Sequence, residues 1–284
     1  MKKLKEIEKS LQKKYRKEIF SKFVRAVKDF NLVTPGDKIA ICISGGKDSF
    51  LLAKCFQELK RHNKFDFELR FIVMNPGYTK EKLDQVISNA KYLNIPIEVF
   101  DTNIFEVVKD TTSPCFLCAR MRRGCLYSKA EELGCNKIAL GHHFNDVIET
   151  ILLNMIYNGK FSGMLPILES DNFPNMELIR PLYYIKEKDI ISWVKYTEMI
   201  FIDCACKVTK KSLGKRKEVK TLSYQLVDMY ENADINIFNS AFHVNPNTTF
   251  LDPKITKKNP KIINKWNKNL LLVWPKNYTS FIYI

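Results

Sequence analysis

Six residues, Ser44-Gly45-Gly46-Lys47-Asp48-Ser49, follow directly on the apolar run Lys38-Ile39-Ala40-Ile41-Cys42-Ile43. No other stretch of the chain restricts the fold as strongly. The run reads as a buried strand, the glycines as a tight turn, and the residues from about Lys47 as the start of a helix. Two glycines let the backbone bend sharply and bring its N–H groups close to a ligand. The helix start adds the positive end of a dipole, so the bend suits an anion such as pyrophosphate. Neither the spacing G-x-x-x-x-G-K-[ST] nor G-x-G-x-x-G is present, which sets this bend apart from the two commonest phosphate-binding turns. The plainer alternative is a strand–turn–helix junction that uses glycine and an aspartate cap.

The rest of the chain extends the alternation. Leu4, Ile7, Leu11, Tyr15, Ile19, Phe23 and Val24 predict an amphipathic helix over residues 3–30. Phe67 to Met74, Ile95 to Phe100, Asn136 to Leu140 and Leu178 to Leu182 read as four further strands. Helices are expected over Phe50–Leu59, Lys80–Leu93, from the cysteine pair to Leu133, over Phe144–Tyr157 and over Lys186–Met199. Strands that alternate with helices predict an α/β fold with a parallel sheet and right-handed crossovers. In such a sheet a ligand lies beyond the carboxyl ends of the strands, where the glycine bend falls. The expected partition is an N-terminal helix and linker over 1–34, an α/β unit over 35–221 and a C-terminal extension over 222–284.

The chain has 284 residues, 45% of them apolar, a composition normal for a globular protein. No apolar run is long enough to span a bilayer, and Met1 to Arg25 lacks the core of a secretory signal; a cytoplasmic protein without a membrane partner is expected. The net charge is +15, which favours a polyanionic partner. Residues 1–30 hold eleven Lys and Arg against four Asp and Glu, and residues 207–220 hold seven against one. The chain is also rich in Lys, Asn and Ile, so codon bias accounts for part of the surplus.

Eight cysteines in a reducing compartment are thiols or metal ligands rather than disulfides. Cys42, Cys55 and Cys135 fall in core-like positions, and Cys125 lies on the helix after the cysteine pair. Cys115 and Cys118 form a C-x-x-C pair at an expected helix start, and Cys204 and Cys206 form a C-x-C pair far downstream. Spacing alone leaves four readings open: a redox dithiol, a zinc site, an iron–sulfur cluster on three thiolates, and inert thiols.

Taken in order, the S-G-G-x-D-S bend, Pro114-Cys115-x-x-Cys118 with Arg122-Arg123-Gly124, and Leu140-Gly141-His142-His143 with the helix to Gly159 resemble the tRNA 2-thiocytidine synthetase family of the PP-loop ATPase superfamily. Ile179-Arg180-Pro181-Leu182 and Glu187 with Ile190 add to the resemblance, which covers about residues 15–245. It implies a PP-loop, adenine nucleotide alpha hydrolase-like architecture. It also implies an ATP-dependent sulfurtransferase that adenylates the 2-oxygen of an anticodon-loop cytidine and replaces it with sulfur. The implied cofactors are ATP, Mg2+ and a [4Fe-4S] cluster; the implied partners are tRNA, a sulfur donor such as a cysteine desulfurase, and a second copy of the chain.

By motif position the nucleotide would meet Ser44, Gly45, Gly46, Lys47, Asp48 and Ser49, together with Met74, Gly141 and Asp146. Asp48, Cys115 and Cys118 would serve catalysis. The cluster would be held by Cys115, Cys118 and one of Cys206 and Cys204, with Cys206 preferred. Two departures are visible: the family often has C-x-x-C where this chain has C-x-C, and Asn145 stands where many members carry Asp. Asp48 and Asp146 could equally cap helices, and His142 and His143 could be packed strand-end residues. Lys207, Lys210, Lys211, Lys215, Arg216, Lys217 and Lys220 could face an RNA backbone or solvent. The rival functions are a uridine thiolase, a lysidine synthetase, and a non-catalytic ATP-binding iron–sulfur sensor.

Overall fold

The computed structural model describes residues 1–62, 64–108, 114–202 and 214–244, with the side chains of 114–116 excepted. Its sheet has six strands: β1 (Lys38–Ile43), β2 (Glu68–Asn75), β3 (Ile97–Asp101), β4 (Lys137–Ala139), β5 (Ile167–Glu169) and β6 (Glu177–Ile179). They lie in the order β3-β2-β1-β4-β6-β5. Every pairing is parallel except that of β5 with β6. The α/β class and the parallel sheet expected from the alternation are therefore present.

Two details of the expectation are corrected. The last parallel strand stops at Ile179 rather than running to Leu182, because the chain turns at once: Tyr183 N–H bonds Arg180 C=O and Ile185 N–H bonds Leu182 C=O. The antiparallel edge strand β5 was not expected. Three residues are too few for a period-two pattern to stand out.

The N-terminal segment is not one helix. α1 (Leu4–Gln12) and α2 (Ser21–Asp29) are joined by a π-helical turn over Arg16–Phe20. Ile7, Leu11, Tyr15, Ile19 and Phe23 are all buried, a stripe of period four. A straight α-helix would rotate that stripe by about 40° at each step. The wider turn, with Tyr15 N–H bonded to Ser10 C=O and Phe20 N–H to Tyr15 C=O, brings it back into phase.

Alternation along β1 divides the core. Ile39, Ile41 and Ile43 join the main cluster with α1, α2, α3 (Lys47–Arg61), α4 (Lys80–Tyr92), α7 (Phe144–Asn158) and α8 (Glu187–Thr197). Ala40 and Cys42 face the other way, onto Tyr127 and Ala130 of α6 (Pro114–Glu132). Both faces of the sheet are thus covered, as a parallel sheet requires. A short helix α5 (Ile104–Val107) precedes α6, and α9 (Gly214–Met229) and α10 (Ala233–Ser240) pack beside α7. Phe238 of α10 stacks on Phe144 at 4.8 Å between ring centres. No helix among the described residues is long and apolar enough to cross a membrane.

The chain runs outward from β1 through β2 to β3 and then crosses back to β4 on the other side of β1. The crevice beyond the carboxyl ends of β1 and β4 is the place where such sheets hold ligands.

Candidate active site

β1 delivers the chain into the bend at that crevice. Gly45 has φ +86°, and a Cβ there would stand 2.5 Å from Ile202 Cδ1 and 2.7 Å from Val86 Cγ2. Only glycine fits, on conformational and on steric grounds. Ile202 also donates its N–H to Gly45 C=O, at 3.2 Å. The buried Ser49 hydroxyl donates to Gly46 C=O (2.8 Å) and accepts Ser44 N–H (3.2 Å), folding the bend against the helix it opens. Tyr78 braces the outer side by donating to Ser44 C=O at 3.1 Å. Tyr78 is itself placed by an Asx turn, in which Asn75 Oδ1 accepts the N–H groups of Gly77 and Tyr78.

Across the crevice, a Cβ on Gly141 would lie 3.1 Å from both Asp48 C and Ser49 N. The end of β4 therefore meets the first turn of α3 main chain to main chain. Around this junction lies one cavity of about 480 Å³. Ser44, Asp48 and Ser49 line it from the bend, Met74 from β2, and Gly141 and Asp146 from the other strand. Gly45, Gly46 and Lys47 do not line it. The remaining wall includes Arg122 and Arg123 of α6 and Arg216 of α9.

The carboxylates differ in how they are held. Asp48 receives Lys47 Nζ on Oδ2 at 3.2 Å, whereas its buried Oδ1 accepts no hydrogen bond and has His143 Nε2 3.9 Å away. Among the described residues no backbone N–H donates to it, and the N-cap of α3 is Gly46, which speaks against the capping alternative for Asp48. Asp146 does cap: its Oδ2 accepts His143 N–H at 2.9 Å, and its Oδ1 takes Arg216 Nη2 at 2.7 Å. Burial alone would raise the Asp146 carboxyl, but the His143 and His142 rings, the His143 N–H and Arg216 outweigh it and hold the group below the usual aspartate range.

Three further residues gain a role only in three dimensions, Glu149 without having been singled out in the sequence at all. Glu149, buried on α7, takes Arg216 Nε at 3.2 Å; burial, only partly opposed by Arg216, pushes its carboxyl up. Glu187, buried at the start of α8, gathers Lys47 (3.3 Å), Lys220 (2.5 Å) and the Tyr224 hydroxyl (3.2 Å). Burial opposes ionisation there too, yet Lys220 and Lys47 prevail and lower the Glu187 carboxyl. Asn145 Oδ1 accepts Glu187 N–H at 2.9 Å. An acceptor for the start of α8 is what position 145 supplies, and a carbonyl oxygen suffices.

Lys47, considered as a phosphate neighbour, is engaged instead with Asp48 and Glu187, whose charges raise its ammonium despite burial. The two histidines also part company. His143 is buried at the N-cap of α7, whereas His142 lines the cavity; the buried Nδ1 of each accepts or donates no hydrogen bond. Burial, with help from Arg180 and Arg216 and against the pull of Asp146, brings the His142 imidazole down to about 4.

Of the basic run, Arg216 and Lys220 turn inward onto Asp146, Glu149 and Glu187; Lys207, Lys210 and Lys211 lie outside the described residues. Cys118 is buried beside Met74, Ile104 and Val108, which sets it behind the Met74 wall of the cavity. Cys42 lies in the core as expected and also borders the cavity, and burial drives its thiol far up. The Cys115 side chain, Cys204 and Cys206 lie outside the described residues. Among those described, no three metal-binding side chains converge.

A parallel sheet with a glycine bend at its switch point, roofed by a helix that opens on C-x-x-C, defines a PP-loop protein. The family model for the PP-loop domain matches residues 13–210. Within that class, the chain belongs to the tRNA-cytidine(32) 2-sulfurtransferase family. It is 37% identical over 243 residues to the Alcanivorax borkumensis enzyme of that name, covering 83% of this chain and 82% of the relative. With the Geobacter metallireducens relative it shares 36% over 219 residues, 76% of this chain and 84% of the other. A Neisseria meningitidis relative is 41% identical over 186 residues, 57% of its own length. Among solved structures, the U34-tRNA thiolase NcsA from Methanococcus maripaludis, determined with its [4Fe-4S] cluster, shares the fold. Its TM-score is 0.64 at 23% identity, over 78% of this chain and 76% of that one.

Proposed function

We propose that this protein is an ATP-dependent tRNA thiolase that replaces the 2-oxygen of an anticodon-loop cytidine, position 32 as in its relatives' names, with sulfur. The observation that carries the reading is one cavity between the glycine bend and the helix that opens on Cys115 and Cys118. The 2-carbonyl of cytidine is a poor electrophile and its oxygen a poor leaving group. Attack of that oxygen on the α-phosphorus of ATP forms an O–P bond and releases pyrophosphate. The oxygen then departs as part of AMP when a sulfur nucleophile adds at C2.

In this reading Ser44, Ser49 and the backbone of Gly45 and Gly46 cradle the pyrophosphate. Asp48, whose buried Oδ1 accepts no hydrogen bond, suits a hard cation such as magnesium. Met74 and Gly141 bound the nucleotide, and the neutral His142 can accept a proton at Nδ1. An all-thiol set from Cys115, Cys118 and either Cys206 or Cys204 fits an iron–sulfur cluster. The buried Cys118 agrees with that use. Such a cluster, when bound with one iron open, supplies a position that holds a sulfide deprotonated at neutral pH. A sulfur donor such as a cysteine desulfurase, a cytoplasmic setting and a second copy of the chain belong to the same proposal.

Mass spectrometry of tRNA nucleosides from cells with and without the gene tests it. Loss of 2-thiocytidine, restored by the wild-type gene and not by Cys118→Ala, is the expected result. Unchanged 2-thiocytidine with loss of a thiouridine would reject the cytidine assignment.

A further inference from the structure

Arg216 is the third residue of α9, outside every motif that marks the bend, and its guanidinium lines the cavity. It is held along one edge by two carboxylates, with Nη2 on Asp146 Oδ1 at 2.7 Å and Nε on Glu149 Oε2 at 3.2 Å. An arginine has five N–H donors. Among the described residues the other three are uncommitted.

The cost of this arrangement is informative. Glu149 is 5% exposed on a helix that otherwise reads as apolar, and Arg216 is its hydrogen-bond partner. Burying a carboxylate with a single partner works against stability. Asp146 is likewise fully committed, since its second oxygen caps α7. Two acidic side chains are thus spent on fixing the plane of one arginine, whose side chain itself remains 49% exposed. A purely structural ion pair needs no such orientation, whereas recognition of a phosphate by a planar fork does.

Resting on the reading of the cavity as an ATP site, we propose that Arg216 is a binding residue for the β- and γ-phosphates of ATP, with Asp146 and Glu149 as the positioning residues that orient it. Asp146 then serves the nucleotide through the arginine. The phosphates belong to the nucleotide rather than to RNA because Arg216 shares its cavity with Ser44, Asp48 and Ser49 of the bend.

Equilibrium binding of ATP and of AMP, each with magnesium, to the full-length protein tests this assignment. Arg216→Ala is expected to weaken ATP about tenfold or more and AMP less than about threefold, since AMP lacks the groups concerned. Glu149→Gln, which keeps the shape and loses the charge, should shift ATP in the same selective way by a smaller factor. Arg216→Lys, a point charge without the planar fork, should not restore ATP binding. Circular dichroism checks that each variant folds; should Arg216→Ala fail, the lysine and Glu149→Gln variants carry the same ATP-against-AMP comparison. Equal loss of both nucleotides, ATP affinity within twofold of wild type, or a loss confined to tRNA binding would overturn the assignment. Wild-type protein that binds no ATP would instead overturn the proposed function beneath it.

Discussion

At Gly45 a single methyl group meets both conformational and steric opposition, from φ +86° and from Ile202 and Val86. Gly45→Ala should therefore lower stability by about 2–4 kcal/mol and abolish nucleotide binding, measured by thermal unfolding and by ATP titration. His142 gives a pH-dependent counterpart. Its imidazole titrates at about 4 in the folded chain, against about 6.5 when unfolded. The unfolded state then binds the extra proton between those values, so stability falls as pH drops from about 6.5 towards 4. Urea midpoints at pH 7.5 and 5 should differ less for His142→Gln than for wild type. Residues of this kind were unevenly legible. The bend could be read because a backbone requirement writes itself as Gly-Gly. Glu149, Glu187 and Arg216 could not, since their meaning depends on which helices meet. The one advance signal was a charge at position 149 on an apolar helix.

Among the elements, α9 is tied to two neighbours by charge. Lys220 and Tyr224 reach Glu187 on α8, and Arg216 reaches α7. Removing the Glu187 charge leaves Lys47 and Lys220 facing one another. Glu187→Gln should cost about 1–3 kcal/mol and speed amide exchange throughout α9 more than in α3 or α4, as hydrogen-exchange mass spectrometry would report. Because the Glu187 carboxyl is held below its ordinary value, its contribution is present above about pH 4.5 and lost as pH falls through the lowered value. The gap between wild type and variant should close in acid. Elements with long apolar patterns were legible, and their ends and joints less so. The π-helical turn was foreshadowed by the four-residue spacing from Ile7 to Phe23, which no straight α-helix can keep on one face. β5 left no comparable trace, because its place depends on pairing with β6.

For the molecule as a whole, the +15 charge has two destinations. Part is turned inward at Arg216, Lys220 and Lys47, each paired with carboxylates around the cavity. Composition cannot separate those residues from the cations left outside. The outer share should dominate the encounter with RNA, so tRNA affinity should drop by a factor of about ten or more between 50 and 200 mM salt. ATP affinity in the absence of tRNA should move far less, as paired equilibrium titrations would reveal. Where β4 meets α3 at Gly141, the partition beside the cavity is peptide unit against peptide unit. Peptide units are common to all residues, so drift of neighbouring side chains cannot retune the depth of that partition. Variants that admit bulkier nucleotide analogues should accordingly arise on the α6 and α9 sides, where the boundary is built of arginines that selection can shorten.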